Sequence, residues 1–279
     1  MNIKLLTPQN FSLQGTRQHQ EDCLCPQLPT SQSAFFAVCD GVGGRACGEV
    51  ASRLVCDAIE QNLTNEECAL LRAENIMSLI DHAYTVLYNH RAVSPEMATT
   101  LAFLANTNQG MLTAYLGDSR IYQFRPGEGL IFQTSDHSLV QELLDKQLIT
   151  PTEANHHPKK HVITKCLFVT GKPSERKHPT ITLIRNVRPG DLFLLCTDGV
   201  YGHLGNDTLA EIITAPQLSL AEKAQELARL CQTSSDNSTA FLLEVSQVEG
   251  SVAGEGNLLF TTPTRKKPWF TRIFSHFSR

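Results

Sequence analysis

The sequence predicts an α+β fold: a four-layer α-β-β-α sandwich in which two antiparallel sheets pack together and helices flank their outer faces. Three observations lead there. Helical and strand patterning come in blocks, not in the strand–helix alternation of a wound parallel sheet. Residues 99–134 are a series of short apolar runs cut by turn sequences. A 279-residue chain that is 41% hydrophobic and 19% charged can bury a core without disulfides or structural metal, which excludes a disordered chain.

The elements follow in order. AFFAVC (34–39) is an apolar run that stops at Asp40-Gly41-Val42-Gly43-Gly44, the pattern of a buried strand leaving the core through a glycine turn. Helical spacing follows, with Val50, Leu54, Ala58 and Ile59 on one face and then Ile76, Ile80, Ala83 and Leu87 on another. Residues 99–134, punctuated by NTNQG, GDS and RPGEG, predict an antiparallel meander with hairpin turns. Leu139, Val140, Leu143 and Leu144 restore helical spacing over 136–147. Then come the turn RPGD and a fully apolar strand, LFLLC, which stops at Thr197-Asp198-Gly199. Residues 219–232 predict a helix, and TAFLLEV (239–245) a last strand. The domain is expected to span 1–248, followed by a linker and tail over 249–279.

Several classes are excluded. No stretch reaches the ~18 uninterrupted apolar residues of a membrane span, and the first residues, MNIKLLTPQNF, lack the apolar run and cleavage site of a secretory signal. A net charge of −4 gives no reason to expect nucleic acid. The nine cysteines are scattered with no Cys-x-x-Cys pair, the usage of a reducing cytosol, which predicts a cytoplasmic protein without a zinc site. No phosphate-binding G-x-x-x-x-G-K-[ST] loop or kinase signature is present.

The chemistry lies in the aspartates. Asp22 follows Glu21, Asp40 and Asp198 each end an apolar strand and precede glycine, Asp118 sits in the GDS turn, and Asp236 precedes the last strand. Any one of them reads as a turn residue. As a set at strand boundaries they can converge on one rim of a sheet, where carboxylates repel unless a cation lies between them. Hard oxygen ligands of this kind suit Mg²⁺ or Mn²⁺.

At these residues the chain resembles the metal-dependent protein serine/threonine phosphatases of type 2C, in their bacterial form. Nine pieces carry the resemblance in order: GTRQHQED (15–22), DGVGG (40–44), GEVAS (48–52), ATT (98–100), GDSR (117–120), TSDHSLV (134–140), HHPKKHVITK (156–165), LLCTDGV (194–200) and DNSTA (236–240). The resemblance implies that Asp40 bridges two metal ions, with Glu21 and the Gly41 carbonyl completing one set of ligands and Asp198 and Asp236 the other. Asp118, with Asp198, offers a looser third position. Arg17 would clamp the substrate phosphate, its planar fork matching the oxygens, and Asp22 would orient waters or Arg17. The implied reaction is direct hydrolysis of phosphoserine or phosphothreonine by a metal-bridged hydroxide, without a protein nucleophile. Phosphorylated proteins and a cognate Ser/Thr kinase are the implied partners. Val42 stands where many eukaryotic members carry a histidine proposed as general acid, so that role falls to a metal-bound water or to a residue the sequence does not name. Residues 141–170 correspond to the flap of bacterial relatives; its His156, His157 and His161 read as an exposed turn, and His137 as a packing or capping residue at a helix start.

Two rival readings have specific discriminators. Cys47–Arg53 matches the Cys-x5-Arg loop of thiol phosphatases, but its apolar spacing runs on into a helix, and thiol alkylation would abolish that chemistry where chelation would not. A metal-stabilised module that binds phosphoproteins without turnover would still bind phosphopeptide after Asp198→Asn.

Residues 257–279 hold no acid and five basic residues, Arg265, Lys266, Lys267, Arg272 and Arg279; against −4 for the whole chain, that leaves −9 on residues 1–256. Trp269, Phe270, Ile273, Phe274 and Phe277 fall on one helical face. Basic plus aromatic on an amphipathic segment predicts contact of residues 265–279 with an anionic membrane surface or a partner protein, with folding back on the acidic domain as the alternative.

Overall fold

The computed structural model describes residues 1–42, 47–250 and 256–260, apart from the side chain of residue 155. Its strands are β1 (Asn2–Leu5), β2 (Gln9–Leu13), β3 (Asp22–Cys25), β4 (Phe35–Asp40), β5 (Ala98–Thr99), β6 (Leu101–Thr107), β7 (Gly110–Leu116), β8 (Arg120–Arg125), β9 (Gly129–Gln133), β10 (Leu167–Phe168), β11 (Thr180–Ile184), β12 (Leu192–Cys196), β13 (Ser238–Glu249) and β14 (Leu258–Phe260). Its helices are α1 (Gly48–Gln61), α2 (Asn65–Cys68), α3 (Ala73–Asn89), α4 (Leu139–Asp145), α5 (Pro151–Asn155), α6 (Asp198–Thr214) and α7 (Leu220–Cys231). One sheet has the order β1-β13-β12-β8-β9, with β2 also pairing β13; the other has the order β14-β11-β7-β6-β4-β3. All pairings are antiparallel. A two-stranded ladder of β5 and β10 stands apart.

The period of two in each strand sorts residues into three buried layers. Phe36 and Val38 of β4 meet Phe193 and Leu195 of β12 and Phe241 and Leu243 of β13 between the sheets. The alternate residues Phe35, Ala37 and Cys39 face α1 and α3. On the other side Leu192, Leu194 and Cys196 face α6 and α7. This is the expected four-layer sandwich. The expected α3 face, Ile76, Ile80, Ala83 and Leu87, is buried throughout; in α1 the buried face is Ala51, Val55, Ala58 and Ile59, and Val50 and Leu54 are half-buried.

Three expectations are corrected. Residues 99–134 are not one meander: β6 and β7 pair in one sheet, β8 and β9 in the other, and Gly117-Asp118-Ser119 is the crossover between them. A turn in sequence cannot be told from a sheet change, because both end one apolar run and begin another. Asp198-Gly199 does not end in a loop but opens α6, with Thr197 as its N-cap. α6 escapes the helical pattern because Gly199, Gly202 and Gly205 dilute it and Gly205 takes non-helical torsions. TAFLLEV is not the last strand: Leu258–Phe260, inside the stretch read as linker and tail, pairs with Ile181–Leu183. The helical spacing expected against the thiol-phosphatase reading holds: Cys47 caps α1 and the six residues after it lie within the helix. Residues 265–279 lie outside the described residues.

Candidate metal and phosphate site

The predicted residues come from both sheets, at the ends where the sheets meet. In β4, Asp40 continues the inward face of Phe36 and Val38; in β3, Asp22 shares the face of Leu24. The two are register partners. The Gly41 N–H donates to the Glu21 carbonyl (3.1 Å), which makes the next pair along, Asp22 with Asp40, the close non-hydrogen-bonded kind. Two like charges directly opposed are unfavourable, so the sheet brings these carboxylates together against their electrostatics. From the other sheet Asp198 enters at the first position of α6, where the helix dipole favours a negative charge, and Asp236 enters just before β13. Asp118 arrives on the crossover.

Backbone fit fixes these positions. A Cβ on Gly199 would overlap the Asn237 carbonyl, so only glycine lets α6 start against β13. A Cβ on Gly41 would lie 2.5 Å from the Gly48 carbonyl carbon, which keeps the exit of β4 against the start of α1. Asp40 is framed by Thr100, whose N–H donates to its carbonyl (2.8 Å) and whose Oγ1 accepts from its N–H (3.0 Å), and by the Thr99 hydroxyl, which donates to the same carbonyl (2.9 Å). Asn237 Oδ1 accepts the Glu21 N–H (2.9 Å), and its Nδ2 donates to the Gln14 and His19 carbonyls (2.8 and 3.0 Å), holding the segment that carries Arg17. Ser52 of α1 donates to the Glu21 carbonyl (2.6 Å).

The charges are strongly perturbed. Burial, then the charges of Asp198 and Asp136, push Asp118 up to about 7. Burial raises Asp22 to about 7 as well, opposed by the Thr197 hydroxyl and augmented by Asp198 and Asp236. Asp40 stands well above the carboxylate range, again through burial and then Asp22, Asp198 and Asp118. Burial and Asp236 raise Asp198, and burial and Glu49 raise Glu21. The nearby Asp40 carboxyl opposes part of the rise at Asp198.

This donor set fits divalent cations. It is hard oxygen only, its carboxylates raise one another, and Oδ1 of the buried Asp22 has no hydrogen-bond partner while Oδ2 accepts from Thr197 (2.8 Å). Among the described residues no three Asp, Glu, His or Cys side chains close into a ready coordination sphere. The arrangement is therefore a convergence of carboxylates and not a finished cage. Arg17 lies with them, but its Nη2 donates to Asp236 Oδ2 (2.6 Å), and this bond raises its already high pKa.

Sequence reasoning missed the supporting hydroxyls and amide: Thr197, Thr99, Thr100, Ser52 and Asn237. Alternation carried a signal for Thr197, which continues the inward face of Phe193 and Leu195. His137 packs as expected. Its Nδ1 accepts the Gly117 N–H (3.2 Å), its Nε2 meets the Thr180 hydroxyl (2.8 Å), and its ring stacks on Tyr115 at 4.8 Å. It thereby pins the crossover that carries Asp118. In the turn after α5, His157 Nδ1 accepts the Lys159 N–H (3.1 Å). His161 is exposed but close enough to Asp198 for its charge to lower that carboxyl. Among the described residues no helix is long and apolar enough to cross a membrane.

Comparison with known proteins identifies relatives of this chain. The family model described as "Protein phosphatase 2C" matches residues 17–234. The serine/threonine protein phosphatase PstP of Mycobacterium tuberculosis is 33% identical over 243 residues, covering 81% of this chain and 45% of that protein; the chain thus spans about half the length of this relative. Protein phosphatase PhpP of Streptococcus pneumoniae is 29% identical over 256 residues, covering 88% of this chain and 98% of its own. The crystal structure of the PstP catalytic domain in complex with two manganese ions superposes with a TM-score of 0.70 at 28% identity, over 88% of this chain and 100% of that one. With the family model matching most of its length, the chain belongs to the protein phosphatase 2C family.

Proposed function

We propose that this chain hydrolyses phosphoserine and phosphothreonine monoesters in proteins, in a reaction that depends on Mn²⁺ or Mg²⁺. The observation that carries the reading is the meeting of Asp22, Asp40, Asp118 and Asp198 between the two sheets, each raised by burial and by its neighbours. Such a group is stable in its ionised form only around cations. Glu21, the Gly41 carbonyl and Asp40 would hold one ion, Asp40, Asp198 and Asp236 the other, and Asp118 with Asp198 a third. Two ions bound there supply an activated water and offset charge on the phosphoryl oxygens.

The protein's own groups then have distinct tasks. Thr197 keeps Asp22 oriented through its hydroxyl. Thr99 and Thr100 fix the Asp40 backbone. Arg17, which donates to Asp236, would be released to the substrate phosphate were Asp236 to hold a cation, and its two parallel N–H groups suit two phosphoryl oxygens.

The test is hydrolysis of a phosphothreonine peptide with Mn²⁺, with and without EDTA, alongside Asp198→Asn. Loss of activity to both is expected. Activity indifferent to both would overturn the site, and phosphopeptide binding without turnover would mark a binding module. The opposing partner is a Ser/Thr kinase, as for any reversible protein phosphorylation. The basic, aromatic stretch 265–279 supports contact with an anionic membrane surface or a partner protein; equal sedimentation of the full chain and a 1–256 truncation with anionic vesicles would remove the membrane reading.

A further inference from the structure

Behind the carboxylates, on the opposite face of the same two strands, lies a cluster of four thiols that phosphate hydrolysis does not use. Cys23 of β3 and Cys39 of β4 are register partners, one residue from the Asp22–Asp40 pair. Cys25 lies two residues further along β3. The alternation that turns Asp22 and Asp40 inward turns all three cysteines toward α1, where Cys56 stands. Cys56 lies in the same buried cluster as Cys25 and Cys39, with Cys23 packed against it, and the nearby thiols of all three push its own thiol well above the ordinary range. Cys25, Cys39 and Cys56 are fully buried; Cys23 is half-buried, the one residue of the four that is not enclosed.

We propose that this cluster is a redox modification site, in which a hydroperoxide oxidises Cys23 and Cys56 captures it as a disulfide joining β3 to α1. In the first step the Cys23 sulfur attacks the peroxide: an S–O bond forms, the O–O bond breaks and water or alcohol leaves, giving a sulfenic acid. In the second step the Cys56 sulfur attacks that of Cys23: the S–S bond forms, the S–O bond breaks and water leaves with the Cys56 proton. Two thiols are oxidised by two electrons and one peroxide is reduced. Capture is favoured because α1 packs directly on β3, so that the resolving thiol shares a buried cluster with the oxidised one. The bond would tie the strand carrying Asp22 to the helix whose Ser52 holds the Glu21 carbonyl.

Peptide mapping without reduction tests this on the full chain treated with hydrogen peroxide. Trypsin places Cys23, Cys25 and Cys39 in peptide 18–45 and Cys56 with Cys68 in peptide 54–72. The expected result is a cross-link between these peptides in the unsubstituted chain that dithiothreitol removes, and its loss in both Cys23→Ser and Cys56→Ala. Cys23→Ser changes the half-buried member and keeps the test decisive should Cys56→Ala fail to fold. A cross-link that survives either substitution, a disulfide confined to peptide 18–45, or Cys23 carried on to sulfinic acid without any cross-link would overturn the proposal.

Discussion

Aspartates of this chain divide by what satisfies them. Asp191, in the RPGD turn, is fully buried yet complete: Arg125 Nε and Nη2 donate to its two oxygens (2.6 and 2.8 Å), and Gln123 and the Arg188 N–H add bonds of 2.8 Å each. Asp22 is also buried, but one oxygen has no partner. The first is the turn residue that aspartate most often is; the second has the unmet oxygen that the proposed metal site calls for. Two substitutions separate supporting roles from binding ones. Thr197→Val keeps shape but removes the hydroxyl that donates to Asp22. Loss of a group that supports a metal site from outside the ligands weakens metal affinity by roughly 10–100-fold, so Mn²⁺ titration of activity should shift by that factor with most of the maximal rate recovered at saturation; an unmoved midpoint would dismiss the role. Arg17→Ala removes an exposed ion pair, worth ~1 kcal/mol or less. Its melting temperature should stay close to the parent's while kcat/KM for phosphopeptide falls about 100-fold, in line with loss of one charged stabiliser of the reacting phosphate; unchanged kcat/KM would leave Arg17 as a partner of Asp236 only.

Elements carry these residues to the site, and here sequence reading succeeds and fails for physical reasons. β4, β12 and β13 are legible because buried strands are long apolar runs, and α3 and α7 because their apolar faces repeat at the helical period. Asp40, Asp198 and Asp236 are legible because each stands beside such a run. β1, β2 and β3 are not, since they are short, edge-placed or half-polar and carry little apolar signal. The sheet change at Gly117–Ser119 is invisible locally, because which sheet β8 joins is decided by its pairing with β12, some 70 residues later. The start of α6 depends on an equally non-local fit, which Gly199→Ala would break. Its new Cβ meets a backbone carbonyl that has no rotamer to move, so β13 or α6 must shift, and a loss of roughly 1–3 kcal/mol is expected from overpacking. Urea unfolding would register it as a lower midpoint at unchanged slope, with loss of metal-dependent activity; a midpoint like the parent's would mean the contact relaxes freely. Asp191→Ala is the control from the far end of β12. It strands the buried Arg125, at a cost of about 3–5 kcal/mol, while the activity of the remaining folded protein is preserved.

At the scale of the whole molecule the site makes stability depend on pH in two opposed ways. Asp22 and Asp118 are held at about 7 against an ordinary 3.8. Between those values the folded, metal-free protein keeps protons the unfolded chain has released. Stability therefore falls as pH rises from about 4 to about 7, and the full penalty is present above that window. His137 acts with the opposite sign: burial lowers it to about 4 from 6.5, the unfolded chain takes the proton first, and its contribution grows as pH rises from about 4 to 6.5. A divalent cation favours the ionised carboxylates and cancels the first effect, leaving the second. Thermal melts in EDTA should therefore decline from pH 5 to pH 8, whereas melts with saturating Mn²⁺ should not. Because protons compete with the cation for the same oxygens, the Mn²⁺-induced shift should be larger at pH 8. At a hundredfold excess over the dissociation constant, linkage gives about 2.7 kcal/mol, or roughly 5–10 °C for a protein of this size. At pH 5, with Asp22 and Asp118 protonated, only a small part of that shift should survive. Equal shifts at both pH values would mean that the cation binds away from these carboxylates, and the convergence of the two sheet ends would then need another purpose.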